Sequence, residues 1–131
     1  MDPISNMFSQ IKNANAVSKK EVTVSYSKMK LAILEILKER GYIEDFAQIK
    51  QENQKYPAGI EVKLKYRGKE TVLSNIKRIS RPGRRVYAKA NELPARLKGR
   101  TEILVSTSSG IMSGREARKK GLGGEIICEV E

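Results

Sequence analysis

Apolar positions along this chain follow two rhythms, one of helical spacing and one of strand spacing. Ile4, Met7, Phe8, Ile11 and Ala14 recur every three or four residues, the stripe of an amphipathic helix. Asp2 and Pro3 suit its start, as an N-cap acceptor and then proline at the first helical position. Val22, Val24 and Tyr26 alternate with Thr23 and Ser25, which predicts a strand. Ser27 is placed to cap a second helix with Met29, Ala32, Ile33, Ile36 and Leu37 as its inner face. Gly41 stands where a helix-ending glycine belongs. Residues 42–49 predict a strand. Ile60, Val62, Leu64 and Tyr66 alternate with Glu61, Lys63, Lys65 and Arg67, a half-buried strand. The polar stretch 51–59 between these two is a hairpin loop, and Tyr26 and Tyr66 are expected mostly in the core.

Beyond residue 76 the elements shorten. Residues 76–80 and 85–89 predict strands around Arg81-Pro82-Gly83-Arg84, whose Pro-Gly centre suits a type II turn. Asn91 is placed to cap a short helix ending at Gly99. Residues 102–107 form an apolar strand. Ser113 and Glu116 have capping-box spacing for a basic helix over 115–120. Gly121-Leu122-Gly123-Gly124 is a tight loop before a last strand, 125–130. The pattern is an α/β (α+β) fold of two small domains, 1–76 and 77–131, each a short mixed sheet with one or two helices.

Charge sharpens this division. The chain has 26 Lys and Arg against 15 Asp and Glu, a net charge of +11. Residues 77–120 hold 13 basic and three acidic residues, while residues 1–75 hold 13 and nine. Such an excess attracts polyanions, with nucleic acid and anionic membrane surfaces as candidates. No basic amphipathic helix faces large apolar residues, which argues against the membrane surface. No run of ~18 apolar residues could span a bilayer, and no N-terminal leader is expected. The single cysteine, Cys128, has no internal partner, which points to a reducing, cytoplasmic setting. Histidine is absent, removing the commonest general base and metal ligand. No catalytic residues, metal, cofactor or small-molecule substrate are expected.

Candidate chemistry is therefore that of binding. Arg78, Arg81, Arg84 and Arg85 flank one turn and would form a phosphate clamp at a ribbon end; alone, the same residues read as a solvated basic turn. Ser106-Thr107-Ser108-Ser109-Gly110 offers hydroxyls to phosphates, 2′-hydroxyls or base edges, although its composition also fits a plain turn. Arg115, Arg118 and Lys119 form a basic helix face that could meet phosphates or only water. Tyr87, inside the basic segment, could stack on a base. The 121–124 glycines read first as a turn, and secondly as a place where RNA approaches closely. Cys128 lies in an apolar strand and is expected to be buried and unreactive.

Ser106-Thr107-Ser108-Ser109-Gly110-Ile111-Met112, then Arg115-Glu116-Ala117-Arg118-Lys119, then Gly123-Gly124-Glu125-Ile126-Ile127-Cys128 strongly resemble the C-terminal signature of the bacterial-type small-subunit ribosomal protein eight family. Ile79 to Tyr87 resembles its central ribbon, and Asp2-Pro3-Ile4 with Ile11-Lys12-Asn13-Ala14 its opening helix. The resemblance implies two packed domains that bind a helix in the central domain of small-subunit ribosomal RNA early in assembly, beside neighbouring small-subunit proteins. It implies that the C-terminal domain leads, with Ser106, Thr107 and Ser108 at an irregular part of the RNA and Tyr87, Gly124 and Glu125 nearby. The chain departs from the family at Arg100-Thr101-Glu102, where glycines are usual, and at Ser113-Gly114, where Thr-Asp is common. It departs again at Glu129-Val130-Glu131, where a Tyr-Val-Trp tail is frequent, and no RNA contact is expected there. A nucleic-acid module acting outside the ribosome, or an enzyme on nucleic acid, are the rival readings.

Overall fold

The first helical stripe is buried as its spacing requires: Ile4, Met7, Phe8, Ile11 and Ala14 all line the core side of helix α1 (Pro3–Ala16). The computed structural model describes residues 3–52, 55–68, 70–73, 75–93 and 101–131. Strand β1 (Glu21–Val24) follows α1 and stops before Tyr26, which is half-buried beside Tyr56 with ring centroids 6.5 Å apart. Ser27 caps helix α2 (Lys28–Glu39), its Oγ accepting from Lys30 N at 3.1 Å. At the other end Gly41 takes φ +80°. Tyr42 N donates to Leu37 O (2.8 Å) and Gly41 N to Lys38 O (3.0 Å), which satisfies carbonyls the helix would leave orphaned.

The inner face of α2 is rotated from the expected one. Lys30, Ile33, Leu34 and Leu37 are buried, whereas Met29, Ala32 and Ile36 are only half-buried. Lys30 explains the offset. It is 3% exposed, and its Nζ donates to Ser25 Oγ (2.6 Å) and Ser25 O (3.3 Å). Burial lowers its pKa from the usual lysine value, because desolvation disfavours the ammonium.

Strands β2 (Ile43–Ile49) and β3 (Gly59–Leu64) complete a sheet of order β1-β3-β2. The central strand carries Ile60 and Val62, both fully buried. A two-residue hairpin, β4 (Tyr66–Arg67) with β5 (Glu70–Thr71), continues the chain and had no counterpart in the hydrophobic pattern. Tyr66 is half-buried rather than core, and its hydroxyl donates to Lys19 O.

The second sheet is built on its last strand. Strand β6 (Ile76–Arg78) and strand β7 (Tyr87–Ala88) both pair with one edge of β10 (Gly124–Val130). The other edge of β10 takes β8 (Glu102–Thr107), which turns into β9 (Gly110–Ser113). So 76–78 and 87–88 are not partners in a hairpin, as expected, but lie in tandem along β10. Only Arg81 and Arg84 pair with each other, exchanging both backbone bonds at 3.0 and 2.9 Å. Gly83 is not in the left-handed region, so the turn is not type II, which requires a positive φ there. Asn91 lies inside a 3-10 turn, Ala90–Glu92, instead of capping a helix; the expected helix end at Gly99 lies outside the described residues.

Helix α3 (Gly114–Lys119) is capped by Ser113, whose Oγ accepts from Glu116 N at 3.2 Å. Leu93, Val105, Met112 and Ala117 form one buried cluster of this second part. Every pairing between strands of the described residues is antiparallel, which makes the class α+β with antiparallel rather than mixed sheets. Short links such as the one between β8 and β9 permit only that arrangement. The described chain divides into two units, Pro3–Leu73 and Ser74–Glu131.

Two expectations follow for β10. Cys128 is fully buried, and desolvation pushes its thiol up to about 12. A thiol reagent should therefore label native protein orders of magnitude more slowly than urea-unfolded protein; equal rates would show an exposed sulfur. At Gly124 a Cβ would run into the Ser106 carbonyl. Gly124→Ala should lower stability by about 2–4 kcal/mol, read as a lower urea midpoint at unchanged slope.

Candidate nucleic-acid interface

Three strands converge at the start of β10. A Cβ on Gly123 would sit 2.6 Å from Ala88 O, and one on Gly124 would lie 2.9 Å from the Ser106 carbonyl carbon. Real side chains do not tolerate such distances, so glycine is what lets β10 pass between these backbones. The register that results pairs Glu125 with Tyr87 on one side and with Ser106 on the other. Ser106 pairs in turn with Ile111. Cross-strand partners project to one face, so Tyr87, Glu125 and Ser106 form a row on one face of the sheet.

The members of this row differ in exposure. Tyr87 is 68% exposed, unusual for a large ring, and Glu125 and Ser106 are half-buried. Arg85 is held to the row by an ion pair, its Nη1 3.2 Å from Glu125 Oε2. Being partly solvated, that pair contributes little stability; its effect is to aim the guanidinium.

The hydroxyl segment is a hairpin end rather than a free loop. Ser106 and Thr107 belong to β8, Ser108 and Ser109 form the turn, and Gly110 at φ +108° opens β9. Thr107 Oγ1 donates to Gly110 O (2.8 Å) and accepts from Ser109 N (3.1 Å). Its hydroxyl thus fixes the turn. The Ser108 side chain is exposed, and among the described residues neither it nor the Ser106 side chain makes a hydrogen bond.

The arginines divide sharply by use. Arg81 and Arg84 bracket the tight turn, are exposed, and pair with no described carboxylate. Arg78 donates to Ile127 O at 2.7 Å. Arg118 donates to Leu93 O (2.6 Å) and Asn91 O (3.0 Å), tying α3 to the 3-10 turn. Arg115 faces the buried carboxylate of Glu102, Nη2 to Oε1 at 3.6 Å. Lys119 is exposed. The structure therefore gathers Tyr87, Glu125, Ser106, Gly124 and Arg85 at one place, holds Thr107 and Ser108 at the adjoining hairpin, and turns Arg115 and Arg118 toward the protein. Gly123 is equally demanding of glycine, and its place in the Gly-Leu-Gly-Gly run was the one signal of it. No cluster of three or more potential metal ligands occurs among the described residues.

Such a surface suits a polyanion with exposed bases: a ring to stack, hydroxyls and a carboxylate to read edges, and guanidinium groups for phosphates. A profile of the family described as "Ribosomal protein S8" matches residues 2–130. The chain is 47% identical to the small ribosomal subunit protein uS8 of Kosmotoga olearia over 133 residues, covering 98% of this chain and 97% of that one. It is 50% identical over 129 residues to the protein of the same name from Vibrio cholerae, covering 98% and 96%. With that from Dictyoglomus turgidum it shares 49% identity over 129 residues and the same coverage. A likeness that covers residues 2–130 and nearly the full length of each relative has one consequence: this chain belongs to the ribosomal protein S8 family.

Proposed function

We propose that this chain binds a helix in the central domain of small-subunit ribosomal RNA and supports assembly of the subunit, with residues 77–131 leading the contact and 1–76 following. As a ribosomal protein it acts by binding and is no enzyme; its partners are ribosomal RNA and neighbouring small-subunit proteins. The observation that carries the RNA assignment is the row Tyr87–Glu125–Ser106 beside two uncommitted arginines.

Each residue has a physical role in this reading. Tyr87 stacks on an unpaired base, a contact that every base offers. Ser106 and Ser108 donate to 2′-hydroxyls or base edges, and Thr107 keeps them in place through the turn. Glu125 uses one oxygen to hold Arg85 and has the other to accept from a base amino group. Gly124 lets the strands close without a side chain in the way. Arg81, Arg84 and Arg85 meet phosphates. Arg115 and Arg118 support the surface through Glu102 and the carbonyls at 91 and 93.

Hydroxyl and charge contributions separate experimentally. Ser108→Ala should weaken binding to the cognate RNA helix five- to 150-fold, the equivalent of ~1–3 kcal/mol for a desolvated hydrogen bond, and leave random duplex RNA nearly unaffected. Thr107→Ala should lose as much through the turn, with Thr107→Ser restoring most of it. Fluorescence titrations on both RNAs check this, with circular dichroism to confirm folding. Full cognate affinity in both alanine variants would make the hairpin end a plain turn.

Salt provides the second test. Log affinity should fall linearly with log salt concentration, and Arg81→Ala or Arg84→Ala should each reduce the slope by about one. Arg118→Ala should leave the slope near the parental value and lower the melting temperature instead. An Arg118→Ala slope reduced as much as that of Arg84→Ala would contradict this division of the arginines.

A further inference from the structure

One residue of β10 holds both ends of the arginine turn. Ile126 O accepts from Ser80 N at 3.2 Å, and Ile126 N donates to Val86 O at 2.9 Å. The chain therefore leaves β10 at Ser80, runs through residues 81–85 and returns at Val86. The tip of this loop is closed by the reciprocal backbone pair of Arg81 and Arg84. Residues 81–85 are all exposed, so packing does little to shape the loop.

Its base is closed by a side chain. Ser80 is polar and yet fully buried. Its Oγ accepts from Val86 N at 2.9 Å and donates to Val86 O at 3.3 Å. The Ser80 backbone N–H cannot serve instead, because it is already engaged by Ile126 O. The hydroxyl thus replaces a missing rung between residues 80 and 86, acting as donor and acceptor at once toward both polar groups of one residue. The neighbours of this junction are the residues assigned above to RNA. Arg81 follows Ser80, Arg85 and Tyr87 flank Val86, and Glu125 precedes Ile126.

We propose that Ser80 is a positioning residue for RNA recognition: its hydroxyl latches the base of the 81–85 loop and so fixes Arg81 and Arg84 relative to the Tyr87–Glu125–Ser106 row. The inference rests on the RNA assignment above and adds to it a group that touches no RNA itself. Guanidinium groups attract phosphates wherever they lie, but only fixed ones favour one arrangement of phosphates over another. The latch therefore acts on specificity more than on charge. With it, the loop enters the complex already ordered. Without it, the cognate RNA must order the loop, and the apparent affinity falls with the fraction of time the loop is competent.

The test uses the full chain. Ser80→Ala removes both hydroxyl bonds and keeps the backbone bonds of Ile79, Ser80 and Val86 to β10, so the fold should survive. Ser80→Thr keeps the hydroxyl, and Ser80→Cys fills the space with a poor hydrogen-bonding group. Without RNA, Ser80→Ala should speed amide exchange at Arg81, Arg84 and Val86 and leave the amides of residue 80 and Ile126 protected. It should weaken binding to the cognate RNA helix about tenfold, with random duplex RNA bound almost as before. Ser80→Thr should restore most of the affinity, and Ser80→Cys should not. In the Ser80→Ala background, Arg84→Ala should cost less on the cognate helix than in the parent chain, because both act through one loop. Unchanged exchange at Arg81 and Arg84, equal losses on both RNAs, full recovery in Ser80→Cys, or additive losses in the double variant would each overturn the proposal. The RNA assignment fails differently. If Arg84→Ala cost the parent chain nothing on either RNA, that assignment would fall and take the latch's role with it. A full effect of Arg84→Ala with none of Ser80→Ala would sink the latch alone.

Discussion

Close passage of backbone against backbone at Gly123 and Gly124 is the constraint on which the second unit rests. Both positions leave no room for a Cβ, one against Ala88 and the other against Ser106. Because β10 can enter there, it becomes the strand that three others use: β6 and β7 take one edge and β8, which carries β9, takes the other. Register follows from that entry, and register sets faces. A one-residue slip would send Glu125 to the opposite face from Tyr87 and Ser106 and dissolve the row. The surface proposed to face RNA is thus a consequence of backbone packing, with the side chains set on it by register.

Net charge says that such a protein meets a polyanion, but not which cations do so. Arg78 and Arg118 spend N–H donors on carbonyl oxygens of their own unit. Arg115 faces a carboxylate whose side chain is only 4% exposed, where losing the guanidinium would weaken the compensation of a buried charge. Arg81 and Arg84 carry no such duty. Guanidinium groups suit both tasks because they present several donors in a rigid fork. The same residue type therefore builds the fold in one place and faces solvent in another.

Local signals were legible in the sequence and non-local ones were not. The α1 stripe, the Ser27 and Ser113 caps, Gly41 and the strand over 102–107 all depend on neighbours within a few residues, and all are present. Lys30 misled the periodicity of α2, since a buried lysine stem counts as polar in any pattern. The segments 76–78 and 87–88 resembled a hairpin because a tight turn lies between them. Their true partner, β10, pairs residues 76–78 with 128–130 and 87–88 with 124–125, far along the chain from both. Strand β9 was hidden behind Ser-Ser-Gly, which reads as the end of a strand and is here a two-residue turn. At the surface itself, composition suggested hydroxyls, but it could not distinguish Thr107, which closes the turn, from Ser108, which faces outward.

The central claim is that the face organised by the start of β10 is where RNA lands. Amide chemical shifts of the full chain, recorded during titration with an irregular helix from the central domain of small-subunit RNA, test it most directly. The account predicts that the largest changes fall on Tyr87, Ser106, Ser108, Glu125 and the Arg81–Arg84 turn, with the β1–β3–β2 sheet nearly unmoved. Changes concentrated in Pro3–Leu73, with Tyr87 and Glu125 silent at saturation, would contradict it.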